Sequence, residues 1–144
     1  MNRKTRPLLG LMMAAALCGS VHAADPSASV SLPVTELKWF DTGVGPLKAA
    51  PAFGDLSKGP HSTFVKLPAG FVSPLHIHTG DYYGVVITGV VANEVDGKVK
   101  DRPLPAGSYW FQKGNANHVT KCLSTNECVV FISQTSKFDY LDAH

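Results

Sequence analysis

No stretch of this sequence invites a long α-helix. Prolines and glycines punctuate the chain throughout (10 and 13), and no window of about eleven residues keeps an apolar stripe at helical spacing. Low helix content is therefore expected. Beyond residue 23 there is no second apolar run of membrane length. GxSxG, CxxC, the P-loop and a GxGxxG opening a helix are all missing, which argues against covalent nucleophilic catalysis.

An excess of basic charge is missing too, once the N-terminus is set aside. Arg3, Lys4 and Arg6 precede an apolar run from Leu8 to Leu17, and the small-residue exit Val21, His22, Ala23 follows. That order reads as a secretory signal peptide over residues 1–23, with cleavage after Ala23. Lipidation at Cys18 is disfavoured because Leu17 stands where such a signal wants a small residue. Three of the 13 Lys and Arg lie in this segment and none of the 11 Asp and Glu does, so 10 face 11 in the mature chain, a net of −1. The precursor's basic character is thus no nucleic-acid footprint, and no nucleic-acid partner is expected. No membrane association is expected after cleavage, and the destination is the periplasm or the exterior.

Cysteine is scarce, and what remains agrees with export. Without Cys18 the chain keeps Cys122 and Cys128, separated by LSTNE, whose Ser124, Thr125 and Asn126 favour a turn. A disulfide at the base of a hairpin is expected, the alternative being two buried free thiols.

What is abundant is the strand-sized run. After a small, polar lead-in over residues 24–34, residues 35–144 break into TELKWF, STFVKLP, FVSPLHIH, YYGVVITGVVANEV, KVKDRPL, SYWFQK, NHVTKCL and ECVVFISQ. Turn signals stand between them, the clearest being Asp96-Gly97, which reads as a two-residue hairpin. About 120 residues with this spacing suit one all-β domain, a sandwich or barrel of the jelly-roll kind.

His76-Ile77-His78 carries the strongest chemical signal. Residues two apart in a strand share a face, so both imidazoles project together, as two ligands from one strand require. Gly70 stands six residues before His76, Gly89 eleven after His78, and Gly107 eleven before His118. This spacing resembles the two motifs of the cupin superfamily. GFVSPLHIHTGDYYGVVITG matches the first at Gly70, His76, His78 and Gly89, with Tyr82 where the family has a glutamate. GSYWFQKGNANHVTKC matches the second at Gly107 and His118, while Lys113, Asn115 and Cys122 depart from it. DYYGVVI and LPAGSYWF are also similar to small exported cupins and to the metal-binding cupin domain of zinc-dependent anti-sigma factors.

The resemblance implies a double-stranded β-helix in which His76, His78 and His118 face inward and bind a metal ion. Three neutral imidazoles suit Zn, Fe, Ni or Cu better than Mg or Ca. Asp81 is a possible fourth ligand if a bulge at Gly80 turns it inward, and otherwise a surface turn residue. Tyr82 either offers its phenol near the metal or simply packs. Tyr82, Tyr83, Tyr109, Trp110 and Phe111 line a pocket or fill the core. Gln112 and Asn117 are candidate orienting donors, with turn and rim roles expected, and His61 and His144 read as surface residues. Function then falls between a metal-dependent oxygenase, isomerase or hydrolase acting on a small molecule and a module that binds or senses metal or ligand without turnover. A homodimer is possible.

Overall fold

A computed structural model describes residues 29–95 and 102–143. Among them there is no α-helix, only a 3-10 turn at Val34–Glu36 inside the run expected to be the first strand. Eleven strands follow: β1 (Phe40–Asp41), β2 (Lys48–Gly54), β3 (His61–Leu67), β4 (His76–Ile77), β5 (Tyr82–Thr88), β6 (Val90–Val95), β7 (Leu104–Pro105), β8 (Tyr109–Gln112), β9 (His118–Cys122), β10 (Cys128–Gln134) and β11 (Leu141–Asp142). They form two antiparallel sheets, β1-β2-β3-β10-β5-β8 and β11-β4-β9-β6-β7. The expected all-β jelly roll is therefore the architecture of the chain.

Period-two alternation decides what each strand buries. In β5, Tyr82, Gly84 and Val86 are buried while Tyr83, Val85 and Ile87 are exposed; in β10, Cys128, Val130, Ile132 and Gln134 are buried. With Leu67, Val91, Trp110 and Cys122 these side chains fill the space between the sheets. Gly84 pairs with Trp110 across β5 and β8, and a Cβ added at Gly84 would lie 2.2 Å from the indole. A glycine is thus the condition for the ring to lie across β5. Gly89, at φ +81°, makes the tight β5–β6 turn, and a Cβ there would approach Cys128 Sγ to 2.7 Å.

Cys122 and Cys128 form the expected disulfide. Its setting differs from the hairpin expectation. Strand β9 pairs with β4 and β6 while β10 pairs with β3 and β5, so the five residues between the cysteines carry the chain from one sheet to the other. The bridge ties the end of β9 to the start of β10, linking inner strands of the two sheets, with both cysteines buried. The Asp96-Gly97 hairpin lies outside the described residues, although β6 and β7 on either side do pair antiparallel.

His61 corrects the reading of it as a surface residue. It starts β3 directly opposite Gln134 and is 2 % exposed, with Nδ1 on Thr63 Oγ1 at 2.9 Å and Nε2 on Gln134 Oε1 at 3.4 Å. Polar partners on its own strand and the next satisfy both ring nitrogens, which makes the burial affordable. His144 lies outside the described residues.

The chain-entropy model gives so short a disulfide loop about 2 to 2.5 kcal/mol of stabilisation. Replacing Cys122 and Cys128 together by alanine should therefore lower the unfolding free energy by about that amount in a urea titration. An unchanged urea midpoint and slope would show that the bridge contributes nothing.

Candidate metal centre

Two strands of the smaller sheet bring the histidines together. His76 opens β4 and pairs in register with His118, which opens β9, while His78 follows β4 immediately. All three are buried, His118 completely. Their potential ligand atoms lie within 4.8 Å of one another, and the rings of His76 and His118 are 4.1 Å apart between centroids. The group could hold a metal ion.

Each imidazole is oriented from behind by the main chain. His76 Nδ1 faces Pro74 O at 2.8 Å, His118 Nδ1 faces Ala116 O at 3.1 Å, and His78 Nδ1 faces Asp139 O. A carbonyl only accepts, so Nδ1 carries the proton in all three rings and Nε2 keeps its lone pair. His118 Nε2 is the one buried side-chain nitrogen or oxygen without a hydrogen-bond partner among the described residues. Burial holds the His118 pKa at about 3, with the neighbouring His76 adding to the effect, and holds His76 at about 4. Burial also lowers His78. The three rings are thus neutral at pH 7, with one tautomer fixed, which is the state a transition metal needs.

A C-terminal strap closes this side of the barrel. Short β11 pairs with β4. Tyr140 stacks on His76 at 4.3 Å between centroids, and Phe138 lies 4.7 Å from His78. The Asp139 carboxylate accepts from Thr79 N and Thr79 Oγ1, and Phe138 N–H donates to Leu56 O at 2.7 Å. The strap was not singled out in the sequence. Its signal is the alternation of Phe138, Tyr140 and polar neighbours in SKFDYLDAH, which matches neither motif.

Asp81 lies outside the histidine group. Alternation turns it opposite to buried Tyr82, and its exposed carboxylate binds Lys113 Nζ at 3.0 Å and Gly114 N at 2.7 Å. Tyr82 stands inside, its ring 5.2 Å from that of His78, and its oxygen accepts from Trp110 Nε1 at 3.4 Å. Burial pushes its pKa up to about 12. Trp110 is core, whereas Tyr83, Tyr109 and Phe111 are exposed on the outer face.

Gln112 is buried rather than at a rim. It donates to Lys113 O and Ala116 O and accepts from Asn93 Nδ2, bracing the loop whose Ala116 carbonyl holds His118. Asn117 is half-buried. Asn93, Thr120 and Ser73 complete this network without a sequence signal. Thr120 Oγ1 donates to Asn93 Oδ1, and Thr120 N–H donates to Ser73 Oγ.

The jelly-roll barrel places His76 at the start of β4, His78 just beyond it and His118 across from them on β9. The model for a domain of unknown function (DUF4437) matches residues 34–141, and the chain belongs to that family. No curated protein matches it significantly. Among solved structures it is similar to an RmlC-like cupin from Ralstonia eutropha JMP134 (TM-score 0.61, 21 % identity, covering 88 % of this chain and 77 % of that one). The polyketide cyclase RemF from Streptomyces resistomycificus gives a TM-score of 0.66 at 11 % identity, over 81 % and 87 %. KdgF from Halomonas sp. gives 0.58 at 20 %, over 72 % and 92 %. At these identities the likeness establishes the cupin fold alone.

The depressed histidines predict how metal-free protein responds to acid. Their folded values lie below the ordinary 6.5, so on acidification the unfolded chain binds protons first. Stability is then full above about pH 6.5 and falls as the pH drops toward about 4. Asp81 and Asp139 are held below 3.8, so they act under this window. Urea titrations of chelated protein at about pH 7, 5.5 and 4.5 measure the slope; a flat profile down to about 4.5 would contradict the buried neutral triad.

Proposed function

We propose that this chain is an exported, metal-dependent cupin in which His76, His78 and His118 hold one divalent transition metal ion, Zn, Fe, Ni or Cu, and with it bind or transform a small molecule. The observation that carries the reading is the buried, partnerless Nε2 of His118, set beside two more imidazoles whose Nδ1 protons are already committed. A buried polar atom left unpaired costs about 1–3 kcal/mol, a cost that ligation would remove. When bound, such an ion supplies Lewis-acid polarisation, and Fe or Cu adds redox chemistry.

The protein's own part is orientation and exclusion of water. The carbonyls of Pro74, Ala116 and Asp139 fix the three rings, and Phe138 and Tyr140 cover His78 and His76. Tyr82, protonated at neutral pH, can donate a hydrogen bond but not act as a base. Oxygenase, isomerase and hydrolase chemistry are all compatible with this arrangement. One observation favours the second reading, a binding or sensing module of the kind found in zinc-dependent anti-sigma factors: among the described residues no carboxylate lines the chamber beside the histidines.

Export to the periplasm or the exterior is supported by the signal-peptide pattern of residues 1–23, which lie outside the described residues, and is compatible with the disulfide. Among the described residues no helix is long and apolar enough to cross a membrane. Exposed Tyr83, Val85, Tyr109 and Phe111 on the outer face of the larger sheet support a homodimer as part of this reading.

Elemental analysis after zinc loading and dialysis tests the site. Wild type should retain about one ion per chain and gain thermal stability, while His118→Ala should retain roughly a tenth of that or less. Exposed Lys38→Ala serves as the control; buried His61 does not, because its loss would disturb the fold. Equal metal content in wild type and His118→Ala would overturn the three-histidine site.

A further inference from the structure

His76 and His78 face a chamber between the sheets of about 70 Å³. A water's share of liquid volume is about 30 Å³, so the chamber takes roughly two to three methylene-sized groups. Leu67, Val130 and Ile132 from the larger sheet, with Phe71, Phe138 and Tyr140, supply much of its surface. Among the described residues no Lys, Arg, Asp or Glu lines it. Four hydroxyl-bearing side chains reach it, Ser73, Tyr82, Thr120 and Tyr140, and the oxygens of the first three are engaged elsewhere. The Tyr82 oxygen accepts from Trp110 Nε1, Thr120 Oγ1 donates to Asn93 Oδ1 at 2.8 Å, and Ser73 Oγ accepts from Thr120 N–H at 2.9 Å.

A charge placed in such a chamber has no opposite charge to pair with, and a sugar-like array of hydroxyls would meet a wall made mostly of apolar side chains. Only the histidine group offers a place for an oxygen donor, through the ion it would hold. We infer that the ligand of this site is a short monofunctional molecule: one carboxylate or other oxygen donor directed to the metal, and an uncharged alkyl body of about two to three carbons in the chamber. Dicarboxylates and polyols fit this lining less well. The inference rests on the proposed three-histidine metal site.

The experiment uses the full chain loaded with Co(II), whose visible spectrum reports its ligand sphere. Acetate, butyrate, succinate and glycerol are titrated against that spectrum. Butyrate should half-saturate at roughly tenfold lower concentration than acetate, the gain expected for burying two further methylenes. Succinate and glycerol should be weaker than butyrate by a similar factor or more. Val130→Leu narrows the chamber and should erase the preference of butyrate over acetate while leaving the Co(II) spectrum intact; the wild-type series stands by itself if that variant folds poorly. Failure to take up Co(II) overturns the metal site and the ligand assignment with it. Uptake of Co(II) with butyrate no better than acetate or succinate overturns the ligand assignment alone.

Discussion

Three main-chain carbonyls, those of Pro74, Ala116 and Asp139, set the chemistry on which this site depends. Burying an imidazole costs its hydration, and burying three side by side would be untenable if any carried charge. Taking the Nδ1 proton of each ring satisfies one nitrogen and fixes which one remains basic. The cost is then concentrated on the Nε2 side, where His118 has no partner at all. A protein that needed these residues only for packing would be better served by apolar side chains of similar volume, since a partly satisfied polar cluster is worse than an apolar core. The arrangement is understandable as a ligand set.

The remainder of the fold keeps those carbonyls in place. Register pairing of His76 with His118 holds the two rings across β4 and β9, and Gln112 braces the Ala116 loop from the larger sheet. The Cys122–Cys128 bridge ties the two sheets together, and the Gly84–Trp110 contact seats the indole across β5 within the larger sheet. The strap from Phe138 to Asp142 closes the same side. Its Asp139 contributes both a carbonyl for His78 and a carboxylate for Thr79. Pairing with β9 on one side and β11 on the other explains how a strand of two residues can carry a site.

The all-β architecture and the shared face of His76 and His78 were legible in the sequence because both rest on alternation along a strand, while the grouping of His118 with them was implied by the resemblance to the cupin motifs. The opposite face of Asp81 followed from the same alternation. What was not legible depends on partners far apart in the chain. His61 is buried because Gln134, 73 residues away, lies opposite it in register. Gln112 is central because Asn93 and Ala116 converge on it. The sheet-to-sheet placement of the disulfide depends on which strands β9 and β10 join, and a turn-rich five-residue link fits a hairpin equally well. The position of the strap depends on its pairing with β4, 64 residues away at Ile77 and Leu141, which nothing in its composition reveals.

Extended X-ray absorption at the zinc edge of the zinc-loaded protein tests the central claim most directly, because it reads the ligand atoms without reference to activity. The account predicts a first shell of nitrogen or oxygen near 2.0–2.1 Å with the multiple-scattering signature of about three imidazoles, and loss of that signature's full amplitude in His118→Ala. A shell without imidazole scattering, or one containing sulfur, would contradict it.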